Sequence, residues 1–132
     1  MTALPAKVRD FLSRPEPVKI LVTSDASGQP RGIVCGSILV PDEGTVAIGE
    51  VFMNTTRSNL EVNPKAAVSV ALGGEAYNIN LTAIGRYEED DTLNMINDRL
   101  AKVNLKAKAV WKFRVESVFD EGINPNAGKQ IS

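Results

Sequence analysis

The sequence contains no histidine. That absence removes the Ser-His-Asp triad, the Cys-His dyad and every histidine-ligated metal or haem site. Cys35 is the one cysteine, so no intramolecular disulfide can form, and nothing calls for an oxidising compartment. Aromatic residues make up only 5%, so a mainly aliphatic core is expected. Neither sign of charge dominates: fifteen Lys and Arg face sixteen Asp and Glu. A nucleic-acid binder usually carries a basic excess or stripe, so that class is set aside. No apolar run approaches the roughly 20 residues of a membrane-spanning helix, and residues 1–11 lack a run of signal-peptide length. The expectation is a cytoplasmic chain with neither a membrane nor a nucleic acid as partner. No glycine-rich stretch has P-loop or dinucleotide-binding spacing.

What is present is the composition of one ordinary globular domain over residues 1–132, 43% hydrophobic and 23% charged. Leu4, Val8, Phe11 and Leu12 recur at helical spacing, and Pro15 and Pro17 stop that helix. Residues 18–23 alternate as a strand. A turn cluster follows at 24–30, and Arg31 to Val40 reads as a second strand. Pro41-Asp42-Glu43-Gly44 turns the chain into a third strand, giving an antiparallel meander. A short helix is expected near 55–62, ended by Asn63-Pro64. Strands follow at 66–72 and 77–86, the second with the clearest alternation in the chain. Leu93, Ile96, Leu100 and Val103 are spaced for one face of a helix over 91–103. Trp111, Phe113 and Val115 mark the last strand, and residues from Gly122 onward read as a polar tail. The expected fold is mainly β with short helices: a six-stranded antiparallel closed or split barrel.

No metal site is expected. The acidic run Glu88-Glu89-Asp90-Asp91 reads as a capped helix start on a solvated face. The segment Val51 to Leu60 offers more. It follows a strand and opens a helix, whose first N–H groups and positive dipole end attract anions. Asn54, Thr55, Thr56 and Ser58 add side-chain donors, and Arg57 adds a charge. Those are the parts of a phosphate cradle. They are equally the parts of a plain capped helix, and the segment alone does not separate the two.

A glycine- and apolar-rich strand pair, a hydroxyl-rich helix start, then Asn59-Leu60-Glu61-Val62-Asn63-Pro64 and the strand Ala66 to Leu72 together resemble the pyridoxamine 5′-phosphate oxidase-like family. The Gly85-Arg86 strand, the helix at Asp91 and the Trp111 strand follow in the family's order, so the resemblance spans nearly the whole chain. It implies a six-stranded split barrel and a homodimer with FMN at the dimer interface. It implies that the strand Arg31 to Ser37, with Ile33, Val34, Cys35 and Ser37, lines the flavin. The strand Ala47 to Met53, with Val51 and Met53, would line it too. It places the flavin phosphate on the helix start at Asn54, Thr55 and Thr56, with Arg57 and Asn59 close by. Oxidase members usually carry Arg and Lys where this chain has Thr55 and Thr56, and Arg57 is displaced in register. FMN binding is therefore expected, and pyridoxamine-phosphate oxidation is not.

Several residues carry two readings at this stage. Cys35 is a buried structural thiol or lies beside the flavin. Gly32, Gly36 and Gly49 bend the barrel or let a flat ring reach the backbone. Arg31 is a solvated strand-end charge or a phosphate contact. Arg86 pairs with Glu88 or reaches phosphate. Trp111 is mainly core, or its indole borders a partner's flavin. Function likewise divides. One reading is a flavin-dependent oxidoreductase with an unnamed substrate and no identified catalytic residue. The other is a non-catalytic FMN carrier, electron-transfer module or sensor with an unknown redox partner. Haem and a deazaflavin are weaker options, and the lack of histidine argues against ordinary haem ligation.

Overall fold

A computed structural model describes residues 2–132. Three helices and seven strands run in the order α1 (Ala6–Ser13), β1 (Val18–Ser24), β2 (Pro30–Val34), β3 (Ile38–Asp42), β4 (Thr45–Gly49), α2 (Asn54–Val62), β5 (Lys65–Leu72), β6 (Glu75–Tyr87), α3 (Asp91–Leu100) and β7 (Val110–Asp120). All seven strands share one sheet in the order β2-β1-β5-β6-β7-β4-β3, and every pairing is antiparallel.

The expected single strand from Arg31 to Val40 is two strands, which raises the count from six to seven. The reason lies in residues 35–37. The Cys35 N–H still bonds the Lys19 carbonyl of β1, at 2.9 Å. Two residues later the Ser37 carbonyl accepts from the Gly49 N–H of β4, near the far edge, also at 2.9 Å. The chain thus leaves one edge of the sheet and joins the other. In a flat sheet six strand spacings would hold those edges about 29 Å apart. Four Cα steps from Val34 to Ile38 span at most about 14 Å. The sheet must curl until its edges meet, which makes a barrel split between β2 and β3.

The interior is mainly aliphatic, as the scarcity of aromatics implied. Leu21, Val68, Val70, Ile79, Phe113 and Val118 are fully buried, and α1 closes one end with Val8, Phe11 and Leu12. A smaller cluster under α3 joins Leu93 and Ile96 to Ala47, Ala107 and Val110. In β1 hydropathy alone favours Val18, Ile20 and Val22 as the inner face. The register instead turns Lys19, Leu21 and Thr23 inward. The Lys19 ammonium is satisfied there by the Arg14 carbonyl.

Two further expectations change. The helix from 91 is α-helical only to Leu100 and tightens into a 3-10 turn, Ala101–Val103, which Asn104 ends in the left-handed region, so Val103 is exposed. The polar tail folds back on β7: Phe119 bridges Gln130, and the Val118 carbonyl accepts from Ile131 N–H. Among the described residues no helix is long and apolar enough to cross a membrane.

Candidate functional site

The split between β2 and β3 opens onto a cavity of about 350 Å³. Ile33, Val34, Cys35, Ser37, Val51 and Met53, half of the expected site residues, line it. The Ser37 hydroxyl donates to the Gly49 carbonyl at 3.0 Å, so this wall is tied across the seam by side chain as well as backbone. A Cβ on Gly49 would meet Ile96 Cγ2 at 2.9 Å, Ala107 Cβ at 3.1 Å and Ser37 Oγ at 3.2 Å. Gly49→Ala is therefore expected to cost about 1–3 kcal/mol of stability by overpacking, read by urea unfolding. A substitution without cost would show that the seam is loose.

Leu100, Val103 and Leu105 form the opposite wall, which the sequence reading did not assign. The available signal was the apolar spacing running past the end of α3 into the loop. Val34, Phe52 and Val103 stand exposed at the mouth. Phe52 holds a left-handed φ of 52°, a conformation a bulky side chain adopts only under constraint from its neighbours.

Burial pushes the Cys35 thiol up to about 12, with Lys19 opposing weakly, so the thiol stays protonated near neutrality. The cavity wall therefore offers no thiolate nucleophile.

The helix start differs from the expectation. None of Asn54, Thr55 and Thr56 caps α2: the N-cap is Met53, and no side chain bonds a helix N–H there. The three polar residues occupy the first turn instead, because the chain enters helical geometry one residue earlier than the side chains suggest. They also point to different places. Asn54 lines a small cavity of about 180 Å³ with Lys106 and Lys108. Thr55 and Asn59 line a polar cavity of about 560 Å³ together with Arg31. Thr56 is buried. Arg57 turns to Glu50 at 3.9 Å and Glu61 at 3.6 Å.

Glu50, immediately before this segment, is the charged centre that the sequence reading missed. It is almost wholly buried. Arg86 grips both carboxylate oxygens at 2.9 Å, and the Trp111 indole N–H donates to Oε1 at 2.9 Å. The Arg86 hydrogen bonds hold the Glu50 carboxyl below its ordinary range against the opposing effect of burial. Arg86 also pairs with Glu88 at 2.9 Å, the first of the two readings its sequence position allowed. Trp111 is buried behind the wall and lines none of these cavities. The Glu50 main chain donates to the Ala109 carbonyl and accepts from Lys108 N–H, which fixes the bend leading to Phe52.

No family model matches the sequence. A curated relative, the uncharacterized protein MJ0282 of Methanocaldococcus jannaschii, is 29% identical over 120 residues, covering 87% of this chain and 80% of its own. Among solved structures, HupZ of Group A Streptococcus superposes with a TM-score of 0.77 at 24% identity, over 95% of this chain and 99% of that one. An FMN-binding protein from Syntrophomonas wolfei gives a TM-score of 0.79 at 15% identity, over 88% and 84%. A putative pyridoxamine 5′-phosphate oxidase from Lactobacillus delbrueckii gives 0.72 at 24% identity, over 89% and 93%.

Proposed function

We propose that this chain, which has the split-barrel fold of the pyridoxamine 5′-phosphate oxidase-like proteins, binds FMN as a homodimer and serves as a flavin-dependent oxidoreductase. The observation that carries the reading is a juxtaposition. Met53 lines the apolar cavity and also opens a helix whose first N–H groups no side chain caps. A flat apolar ring and an anionic tail therefore have adjoining places. Ile33, Val51 and Met53 would pack the ring, while Ser37 and Gly49 keep that wall flat. The bound flavin would supply hydride and electron transfer. The chain's own part is to orient the ring and exclude water.

The partner copy belongs to this reading because of the sheet's outer face. One cross-strand row reads Val34, Ile20, Ser69, Asn78, Phe119, and the next Gly32, Val22, Ala67, Asn80, Ser117. Neither row contains a charge, which is unusual for a face left to water. Val34 belongs both to this face and to the cavity mouth, so a second copy packed here would also close the cavity.

The non-catalytic reading rests on the same walls, since the titratable side chain that lines the apolar cavity, Cys35, stays protonated near neutrality. Turnover with NAD(P)H and an acceptor separates the two. The first experiment is an absorption spectrum of the purified protein, followed by titration with FMN, riboflavin, haem and a deazaflavin. FMN is expected to bind with quenched fluorescence and more tightly than riboflavin. Binding of haem or a deazaflavin in its place would sink the FMN reading.

A further inference from the structure

Charge is strongly segregated at the end of α3 and the loop after it. Arg99, Lys102, Lys106 and Lys108 fall within residues 99–108, and no Asp or Glu does. Taking those four from the fifteen Lys and Arg leaves eleven against all sixteen Asp and Glu, so the rest of the chain is net negative. All four side chains are exposed, and among the described residues none lies in an ion pair. Further along, Lys112 pairs with Asp90 and Arg114 with Glu116, so the unpaired charge ends at Lys108.

The loop is also pinned. The Asn97 side chain holds both backbone groups of Ala107, accepting from its N–H at 2.8 Å and donating to its carbonyl at 3.2 Å. The Lys108 N–H bonds the Glu50 carbonyl at 3.1 Å. Ala107 is buried, while Lys106 and Lys108 on either side of it stand outward. Cations fixed in this way lose little backbone freedom when a partner binds them.

The same loop supplies the wall of the apolar cavity opposite Val34, through Leu100, Val103 and Leu105. Val103 is 63% exposed and Phe52 is 87% exposed. Phe52 lines the apolar cavity and also the small cavity that Lys106 and Lys108 share, so its ring stands between the mouth and the lysines. An apolar centre with a charged rim is the build of a protein-docking patch. Arg99 and Lys102 line neither of the two cavities that Lys106 and Lys108 share, so the four cations do not converge on one small anion. A nucleic acid would want the stripe to continue along a groove with stacking rings, and it stops at Lys108.

Resting on the flavin reading above, we propose that residues 99–108, with Phe52, form the docking surface for a small acidic electron-transfer protein that reduces the flavin through this mouth. The partner's anionic face meets the four cations, and the net-negative remainder of this chain turns it away elsewhere. Two one-electron carriers are each oxidised by one electron. Those two electrons, with two protons from water, reduce one bound flavin. Such encounters are brief and bury under about 1,200 Å², which suits a patch this narrow.

The test mixes the FMN-loaded protein with a reduced [2Fe–2S] ferredoxin of net negative charge in a stopped-flow spectrometer, at low and at high salt. The second-order rate of flavin reduction is expected to fall about 10-fold or more at high salt. It should fall by at least as much at low salt when Lys102→Glu, Lys106→Glu and Lys108→Glu are combined. Oxidation of the reduced flavin by ferricytochrome c, a basic protein, should instead speed up in that triple variant. A change in the same sense with both proteins, a parental rate with ferredoxin, or a rate indifferent to salt overturns the docking surface. If the parent binds no FMN, the flavin reading falls and docking is tested alone, by titrating oxidised ferredoxin against the backbone amide NMR signals of this chain. Shifts or broadening at residues 52 and 99–108 that vanish in the triple variant sustain the surface. No response, or a response there only to single-stranded DNA or to phosphatidylserine vesicles, overturns it.

Discussion

Glu50→Ala should lower the free energy of unfolding by about 3–5 kcal/mol, the usual consequence of removing one partner from a buried ion pair. The substitution strands the Arg86 guanidinium, which the carboxylate engages through both oxygens, and the Trp111 indole N–H. Neither has a substitute acceptor nearby except Glu88, which reaches only one Arg86 nitrogen. The pair itself need not be strongly stabilising, since desolvation opposes it. Glu50→Leu combined with Arg86→Met is therefore expected to fall well short of the single-site loss. The carboxylate also sets a pH dependence. Its folded pKa lies below the ordinary 4.5. Its stabilisation is thus fully present above that value and is lost as pH falls through the lower folded pKa. Chemical denaturation at pH 7 and along the acid limb measures both effects. A loss under about 1 kcal/mol at pH 7 would mean that water already reaches the pair.

Ile20→Glu should convert a dimer into a monomer, raising the dissociation constant by about 100-fold or more. Ile20 sits in the uncharged row between Val34 and Ser69. A carboxylate there would be buried without a partner in the interface, and an unpaired buried charge costs several kcal/mol. The side chain is only partly buried in the single chain, so the barrel itself should still fold, which circular dichroism would verify. Flavin affinity should drop in parallel, because Val34 beside it forms the cavity mouth. Sedimentation equilibrium decides the matter. A parent that is monomeric at micromolar concentration refutes the partner copy, and an unchanged dimer in Ile20→Glu moves the interface to another face.

Much of this architecture was legible because it is local and periodic. Tyr77, Ile79 and Leu81 alternate so regularly that their strand and its buried face follow directly. The Leu4, Val8, Phe11 and Leu12 spacing fixed α1 in the same way. What was hidden depends on partners distant in sequence. The run from Arg31 to Val40 has no break in hydropathy, so nothing local announces that Cys35 still pairs with β1 while Ser37 already pairs with Gly49 of β4. The inversion of β1 has a similar cause: Lys19 tolerates the interior only because the Arg14 carbonyl waits there. Glu50 looked like any strand-end acid until Arg86 and Trp111 were brought to it. The expectation that residues 31–37 and 47–53 line a flavin came from family likeness. The phosphate end was read from the free N–H groups of the helix start and the polar residues there, and the competing reading of those residues as caps fails because the cap position falls on Met53.

The seam at residues 35–37 also bears on how the molecule assembles. β1 with β2, and β3 with β4, are hairpins between near neighbours and can form early. Closing β4 onto β7 unites segments far apart in sequence, so its loop-closure entropy must be met before those contacts stabilise anything. The seam cavity takes shape only when that pairing is made, because its walls come from both hairpins and from the end of α3. A ligand there cannot template the early hairpins. It acts on the closed barrel alone, slowing reopening and leaving the rate of closure nearly untouched.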